Sequence, residues 1–458
     1  MRFIVLRWLA ASSLLIATLA LQAETRPQYG GTLRIALHAA PTSLDPSNNA
    51  QADSFALRDI TLLIFDTMVT ANGGGIHAAL ATSWQLLPGN TPANTRWQFR
   101  LRHGVNFDDG TAVEAETVSA SLRAANPAWA VTADGDSVTI ECDGPHPQLL
   151  KELALPRYAI VKKNSAKPNG TGPFHIVDWQ PGRKLTLAAN EDYWQGRPFL
   201  DGIEITMGRS FQDQWTALAL GQIDLTEVPA EQAHRVSLDG HRLINSSPME
   251  LIALLFTRDA QSAEENSLRQ ALALSVDRAS IRSVLLQGAG QASAGVLPSW
   301  MSGYGFIFPT DANLTQARHM REQVRSVPSW SIGYDPGDAI ARLMTERVAL
   351  NAKDAGLSLQ PTSAATADLK LVRIPLASAD AWISLTGVEV ISGVPTTKND
   401  GPLEDLYAAE QKLLATQRII PLFHLPVSYA ASTALRNWTV NADGTMSVVN
   451  SSLGNGKP

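Results

Sequence analysis

Between Gly170 and Ile205 the chain reads GTGPFHIVDWQPGRKLTLAANEDYWQGRPFLDGIEI, and no other stretch constrains the fold as strongly. Apolar residues alternate on either side of Pro181-Gly182. Phe174 and Ile176 share one face, Val177 and Trp179 the other, and Leu185 and Leu187 resume the period of two. Proline presets the φ of a turn's second residue and glycine accepts the positive φ required of the third, so Pro181-Gly182 predicts a type II reversal between two strands. Glu191-Asp192-Tyr193-Trp194 then breaks the alternation as an aromatic elbow, and a third strand follows over 203–207. None of these residues is an obvious catalyst.

The surrounding chain alternates strands and helices. Leu33, Ile35 and Leu37 mark an opening strand, followed by a loop over Pro41 to Pro46. Over 55–69, Phe55, Ile60, Leu63, Ile64 and Phe65 form the broad apolar face of a core helix. Trp97, Phe99 and Leu101 define a half-buried strand, and Asp109-Gly110 turns the chain into a helix over 111–122. A helix from Trp215 stops at Gly221 before a strand, and the unbroken apolar run Leu251 to Phe256 predicts a strand covered on both faces. Ser267 and Gln270 fit a capping box, and Asp277 fits the cap of a second helix, with Arg278 paired at the surface. Further on, a helix runs from Asp338 to Gly356, strands over 357–360 and 369–376, a helix over 403–418 and a strand over 419–424. Such alternation argues an α/β layer with a mostly parallel sheet, and 458 residues are enough for two or three units.

Three segments together resemble the family 5 solute-binding proteins, the peptide, nickel and related binding proteins that serve ABC importers. The first is the Gly170–Ile205 stretch, with GTGPF, Trp179, the Pro-Gly hairpin, Tyr193-Trp194 and Pro198-Phe199-Leu200-Asp201. The second is Leu80-Ala81-Thr82-Ser83-Trp84 with Phe99-Arg100-Leu101-Arg102-His103-Gly104-Val105-Asn106-Phe107-Asp108-Asp109-Gly110-Thr111. The third is Arg269-Gln270-Ala271-Leu272, Asp277-Arg278, Gly288 and Leu297-Pro298. The resemblance implies a two-lobed periplasmic binding protein fold of type II, cluster C-like. Residues 24–257 and 425–458 would form lobe 1 and 258–424 lobe 2, with crossings near 258 and 424. Relatives usually insert a long segment before GTGP. Here only Ala124 to Lys167 is available, implying a reduced peripheral part of lobe 1.

A formal charge of −6 without a basic run argues against nucleic acid as a partner. The nine histidines lack metal spacing and no HExxH occurs. Gly290 to Gly295 is one residue too long for a nucleophile elbow, and Gly170-Thr171-Gly172 leads into a strand, without a helix N-terminus to hold phosphate. No catalytic residue, metal site or cofactor is therefore expected. At the N-terminus, Arg2, Arg7, the apolar run Trp8 to Leu21 and Ala23 read as a secretory signal peptide, residues 1–23, with an uncleaved anchor as the alternative because Leu21 is large. No cysteine follows that run, so a free periplasmic protein is expected in place of a lipoprotein. Cys142, the single cysteine, has no disulfide partner and suits a buried strand.

A receptor of this kind needs a cleft with aromatic walls and a few polar groups. Asn49 and Gln51, in the loop Asn48 to Ser54, are candidates for contact with the solute. So are the aromatic residues Trp300, Tyr304 and Trp382, and the polar residues Arg373 and His424. Peptide-binding relatives carry a lobe-2 carboxylate that receives the peptide's amino group, and the resemblance makes Asp380 its displaced remnant. The expected protein is a monomeric receptor that closes around a small solute, a short peptide being the family default, and delivers it to a membrane permease and its ATPase partner. The alternative is a degenerate fold serving as a regulatory or scaffold protein.

Overall fold

In a computed structural model the described residues are 29–454, apart from 48–53, 73–74, 92–93, 164–166, 239–241, 306, 339 and 398–399. The expected leader lies outside them. One 11-stranded sheet runs through the molecule in the order Ser358–Thr362, Ser329–Gly333, Leu369–Pro375, Arg242–Phe256, Ile419–Ala431, Leu225–Val228, Thr32–Ala36, Gly202–Thr206, Lys184–Ala189 and Phe174–Gln180, with Gln291–Ala292 pairing beside Ile419–Ala431. Its outer parts contain parallel pairs, but its centre is antiparallel, so the sheet is mixed. The reason is the pair of long strands Arg242–Phe256 and Ile419–Ala431, which run in opposite directions between the two lobes. Pro248 faces Pro426 in this ribbon, and the register shifts on either side of Pro248. Proline offers no ladder donor, so the pairing is weakest where the lobes meet.

Each lobe has its own interior. Leu33, Ile35, Phe174, Leu187, Ile203 and Trp438 belong to the first core, which also takes Tyr429, Ala431 and Val448 from the chain's last stretch. In the second lobe, Ile252, Leu254 and Phe256 pack into one core while Leu251 and Ala253 pack into another on the opposite face. The apolar run is thus covered on both sides, as its lack of alternation predicts. A four-stranded antiparallel sheet, Ala81–Pro88, Thr95–Leu101, Ser137–Cys142 and Ala130–Asp134, forms a separate unit with helix Ala115–Ala125 and a core that includes Cys142.

The Gly170–Ile205 stretch forms the far edge of the large sheet. Gly182 has φ +69° and Arg183 N donates to Gln180 O at 3.0 Å, closing the expected turn. The alternation is interrupted, however. Ile176 faces Leu187 while Asp178 faces Thr186, so Val177 is a bulge. It points to solvent, and Trp179, now opposite Leu185, packs against the core on the same face as Phe174 and Ile176. The aromatic elbow folds inward onto Asp66. Thr171 Oγ1 donates to its carboxylate at 2.8 Å, Tyr193 OH at 3.0 Å and Trp194 Nε1 at 3.0 Å. Burial raises the Asp66 carboxyl above its ordinary value, and the three donors partly offset that.

Helix Phe55–Ile64 is shorter than its apolar face suggests, because the chain must leave it to meet Gly172, whose N–H donates to Ile64 O at 2.9 Å. The capping box expected at Ser267 is displaced. Helix Ala263–Ser275 is capped earlier by Ser262, which accepts from Glu265 N, while Glu265 reaches back to Gln261 N at 2.9 Å. Ser262 and Glu265 carry the same S-x-x-E pattern, and Ser267 lies inside the helix. Asp277 does cap helix Arg278–Val284. Arg278 is buried, not at the surface, and donates to Pro421 O at 2.9 Å; burial pulls its guanidinium down to about 10.

A Cβ at Gly170 would stand 1.9 Å from Ile64 O, and one at Gly172 would stand 2.5 Å from Ile64 C, whereas Gly75 has open space. Gly170→Ala and Gly172→Ala should each cost about 3 kcal/mol or more in denaturant unfolding, and Gly75→Ala within about 0.5 kcal/mol.

Candidate functional site

A cleft lies between the lobes and divides into two adjoining chambers, with volumes of about 1060 and 830 Å³. His38, Phe55 and Glu227 from the first lobe and Glu250, Asp335 and Arg373 from the second line both chambers. Local structure explains how they arrive there. Phe55 opens its helix just after the cap Ser54, which accepts from Leu57 N at 3.3 Å. Glu227 sits in the strand Leu225–Val228, and His38 N donates to its Oε2 at 3.0 Å. Glu250 and Arg373 lie on neighbouring antiparallel strands, where Ile252 opposes Arg373, so the two charged side chains meet diagonally on one face.

Arg373 is the centre of the charge pattern. Its Nη1 lies 2.8 Å from Glu250 Oε2 and its Nε 2.6 Å from Asp338 Oδ2. Asp338 also accepts from the N–H groups of Ile340 and Ala341, at the start of helix Ala341–Asp354. Burial acts against the charge on Arg373, but Glu250 and Asp338 outweigh it and hold the guanidinium above its ordinary value. Burial works against Asp338 too, and Arg373 with the two N–H groups holds it below the usual carboxylate value. Glu227 and Glu231 also face the cleft, and burial raises both, outweighing the lowering by His38 on the first and by Arg373 on the second. In the smaller chamber the described lining therefore holds Glu227, Glu231, Glu250, Asp335 and Asp338 around Arg373. The larger chamber has an apolar wall of Leu155, Tyr158, Ile383, Val390 and Ile391, and its polar groups include His146, Gln148, Glu152, Arg157 and Thr386.

Of the residues singled out from sequence, Arg373 lines both chambers. Asn49 and Gln51 lie outside the described residues. The other five have occupations of their own. Trp300 is 39% exposed and donates to Pro248 O at 3.0 Å, steadying the irregular part of the long strand. Tyr304 donates to Glu410, whose carboxylate also accepts from the N–H of Val296 and Leu297 inside the second lobe. Trp382 is buried, with Nε1 donating to Gly401 O at 3.0 Å. His424 is buried in the long strand with Nε2 3.0 Å from Val296 O, and burial lowers it to about 4. Asp380 caps helix Ala381–Ser392 and pairs with Lys151 at 2.8 Å. Sequence reasoning did not pick out Glu227, Glu250, Asp335 or His38. For Glu227 and Glu250 the one local signal is a lone carboxylate set inside or beside an apolar strand run, Glu227 in LTEV and Glu250 before Leu251.

Among the described residues no helix is long and apolar enough to cross a membrane, and no group of three or more His, Cys, Asp or Glu is arranged to hold a metal ion. The family model for bacterial extracellular solute-binding proteins, family 5 middle, matches residues 75–371. The nickel-binding protein NikA of Staphylococcus aureus is 28% identical over 235 residues, covering 48% of this chain and 47% of NikA. The oligopeptide-binding protein AppA of Bacillus subtilis is 24% identical over 333 residues, covering 66% of this chain and 59% of AppA. The chain thus spans about half to three-fifths of the curated relatives it matches. In three dimensions, NikA from S. aureus in complex with Ni(L-His)2 superposes with a TM-score of 0.78 at 19% identity, over 92% of this chain and 99% of that one. DppA from Helicobacter pylori in complex with the peptide STSA gives 0.78 at 18% identity, over 93% and 99%. These likenesses extend the two-lobed architecture to almost the whole chain. With the family model matched across the sequence from the small sheet to the centre of the second lobe, the chain belongs to the bacterial extracellular solute-binding proteins of family 5.

Proposed function

We propose that this protein is the periplasmic solute-capturing component of an ABC importer, a monomer that closes its lobes around a small solute and presents it to a membrane permease driven by an ATPase. The observation that carries this reading is the cleft itself, where His38, Phe55 and Glu227 face Glu250, Asp335 and Arg373. A solute held there touches both lobes only when they are closed, so its binding energy shifts the equilibrium toward closure. We place the crossings within the long ribbon near Pro248 and Pro426, since Leu251 to Phe256 pack with the second lobe, so that the residues before Pro248 and after Pro426 form one lobe and those between them the other. Flexing would occur in the long ribbon, where Pro248 opposes Pro426. Residues 1–23 would direct export. A scaffold has no use for an open, charged cleft of this size.

The lining also suggests the solute's chemistry. Carboxylates exceed guanidinium groups in the smaller chamber, and the larger one has an apolar wall. Both features favour a solute with a positively charged group and an apolar part, such as a short peptide with a free amino terminus. The relatives' printed names include nickel and oligopeptides. A bare metal ion would find no clustered ligands among the described residues, so nickel would enter only inside a chelate.

Thermal-shift and tryptophan-fluorescence screening should find stabilisation by short apolar peptides, on the order of 2.7 kcal/mol at a hundredfold excess over Kd, and none by sugars or acidic opines. Failure of peptides, metal chelates, sugars and opines alike to shift melting would remove the receptor reading. Binding of a cationic solute should weaken as pH falls, beginning above the ordinary glutamate value of 4.5, because the raised Glu227 and Glu231 take up protons there and lose the charge that attracts it. Isothermal titration across that range checks this, and Glu227→Gln should flatten the dependence. Arg373→Ala leaves Glu250 and Asp338 facing each other. With 31% side-chain exposure at Arg373, the stability cost should be on the order of 2 kcal/mol, less than for a fully buried pair, as denaturant unfolding would measure.

A further inference from the structure

A contact across the cleft is made by the small four-stranded unit and not by the large sheet. Its short helix Leu149–Glu152 sends Lys151 to the second lobe, where Nζ lies 2.8 Å from Asp380 Oδ2 and 2.5 Å from Asp400 Oδ1. Asp380 is already fixed, since its Oδ1 accepts from Ile383 N at 3.1 Å and caps helix Ala381–Ser392. The lysine thus binds a carboxylate held still by its own helix. All three side chains keep less than a third of their exposure, which strengthens the attraction relative to an open surface pair. Burial acts to lower the Lys151 ammonium pKa, and the two carboxylates outweigh it and raise it. Next to the charges, Leu155 packs with Ala377 and Ile383, and Arg58 Nη1 donates to Ala377 O at 3.3 Å. Polar and apolar contacts therefore join the lobes at the same place.

The elements that make this bridge also wall the larger chamber, through Gln148 and Glu152 on one side and Ile383 and Thr386 on the other. We propose that Lys151, Asp380 and Asp400 form an interlobe latch that draws the solute-free protein toward its closed form. A solute then completes a closure the protein has already favoured, and apparent affinity rises with the fraction of molecules that are closed. The latch is independent of which solute binds, so its test needs none.

Small-angle X-ray scattering of the full secreted chain without solute, with circular dichroism as a check on folding, provides that test. The wild type should scatter as a compact molecule. Lys151→Met and Asp400→Asn should both increase the radius of gyration while keeping the wild-type dichroism, and Lys151→Arg should stay compact. Should Lys151→Met fail to fold, Asp400→Asn alone decides. A wild type as extended as its variants, or variants as compact as the wild type, would overturn the latch and leave the receptor reading to the solute screen.

Discussion

Two strands of opposite direction, Arg242–Phe256 and Ile419–Ala431, lie against each other for most of their length, and both lobes hang from them. Each strand is shared. Leu251 to Phe256 and Ile419 to Leu425 are buried in the second lobe, while Tyr429 and Ala431 belong to the first core. Backbone hydrogen bonding resists shear, so the lobes cannot slide past one another along this ribbon. They can bend where the ladder is weak. Pro248 and Pro426 meet at that point without a donor between them, and Glu250 follows two residues later, at the cleft. The proposed hinge and the cleft wall thus sit on the same few residues.

The first lobe is made rigid by a different device. Asp66 gathers Thr171, Tyr193 and Trp194, and the carbonyl of Ile64 takes the place that side chains at Gly170 and Gly172 would need. Backbone passes against backbone there, which only glycine permits. Arg102 then stacks over Trp194 at 4.4 Å, joining the small four-stranded unit to the same hub. Since helix Phe55–Ile64 ends at this junction and begins at the cleft, the hub also sets where Ser54 and Phe55 stand.

Charge is distributed according to burial and partner. Arg373 is held charged by Glu250 and Asp338, whereas at Glu227 and Glu231 burial outweighs the pull of His38 and Arg373. Asp380 has the opposite fate. Its carboxylate already holds the ammonium of Lys151, so a residue singled out for meeting a solute's amino group instead meets one from its own chain.

Local pattern made the sheet edge legible. Alternating apolar residues and Pro181-Gly182 predict the hairpin, the unbroken run Leu251 to Phe256 predicts burial on both faces, and Asp277 predicts a helix start, because each depends on neighbours within a turn or two. The bulge at Val177 was not legible, for it is defined by the strand opposite, and it carried Trp179 to the other face. Nor was the cleft. Lys151 and Asp400 are 249 positions apart, and Glu227 meets Glu250 and Arg373 only because the ribbon brings the lobes together. Trp382 and His424 show the reverse, polar atoms that read as available and are taken up inside the second lobe. Periodicity and turn chemistry in the sequence determined the elements, and three motif segments carried the resemblance to the family. Which charged side chains face the cleft was decided by tertiary structure, since burial and counter-charge are properties of the assembled lobes.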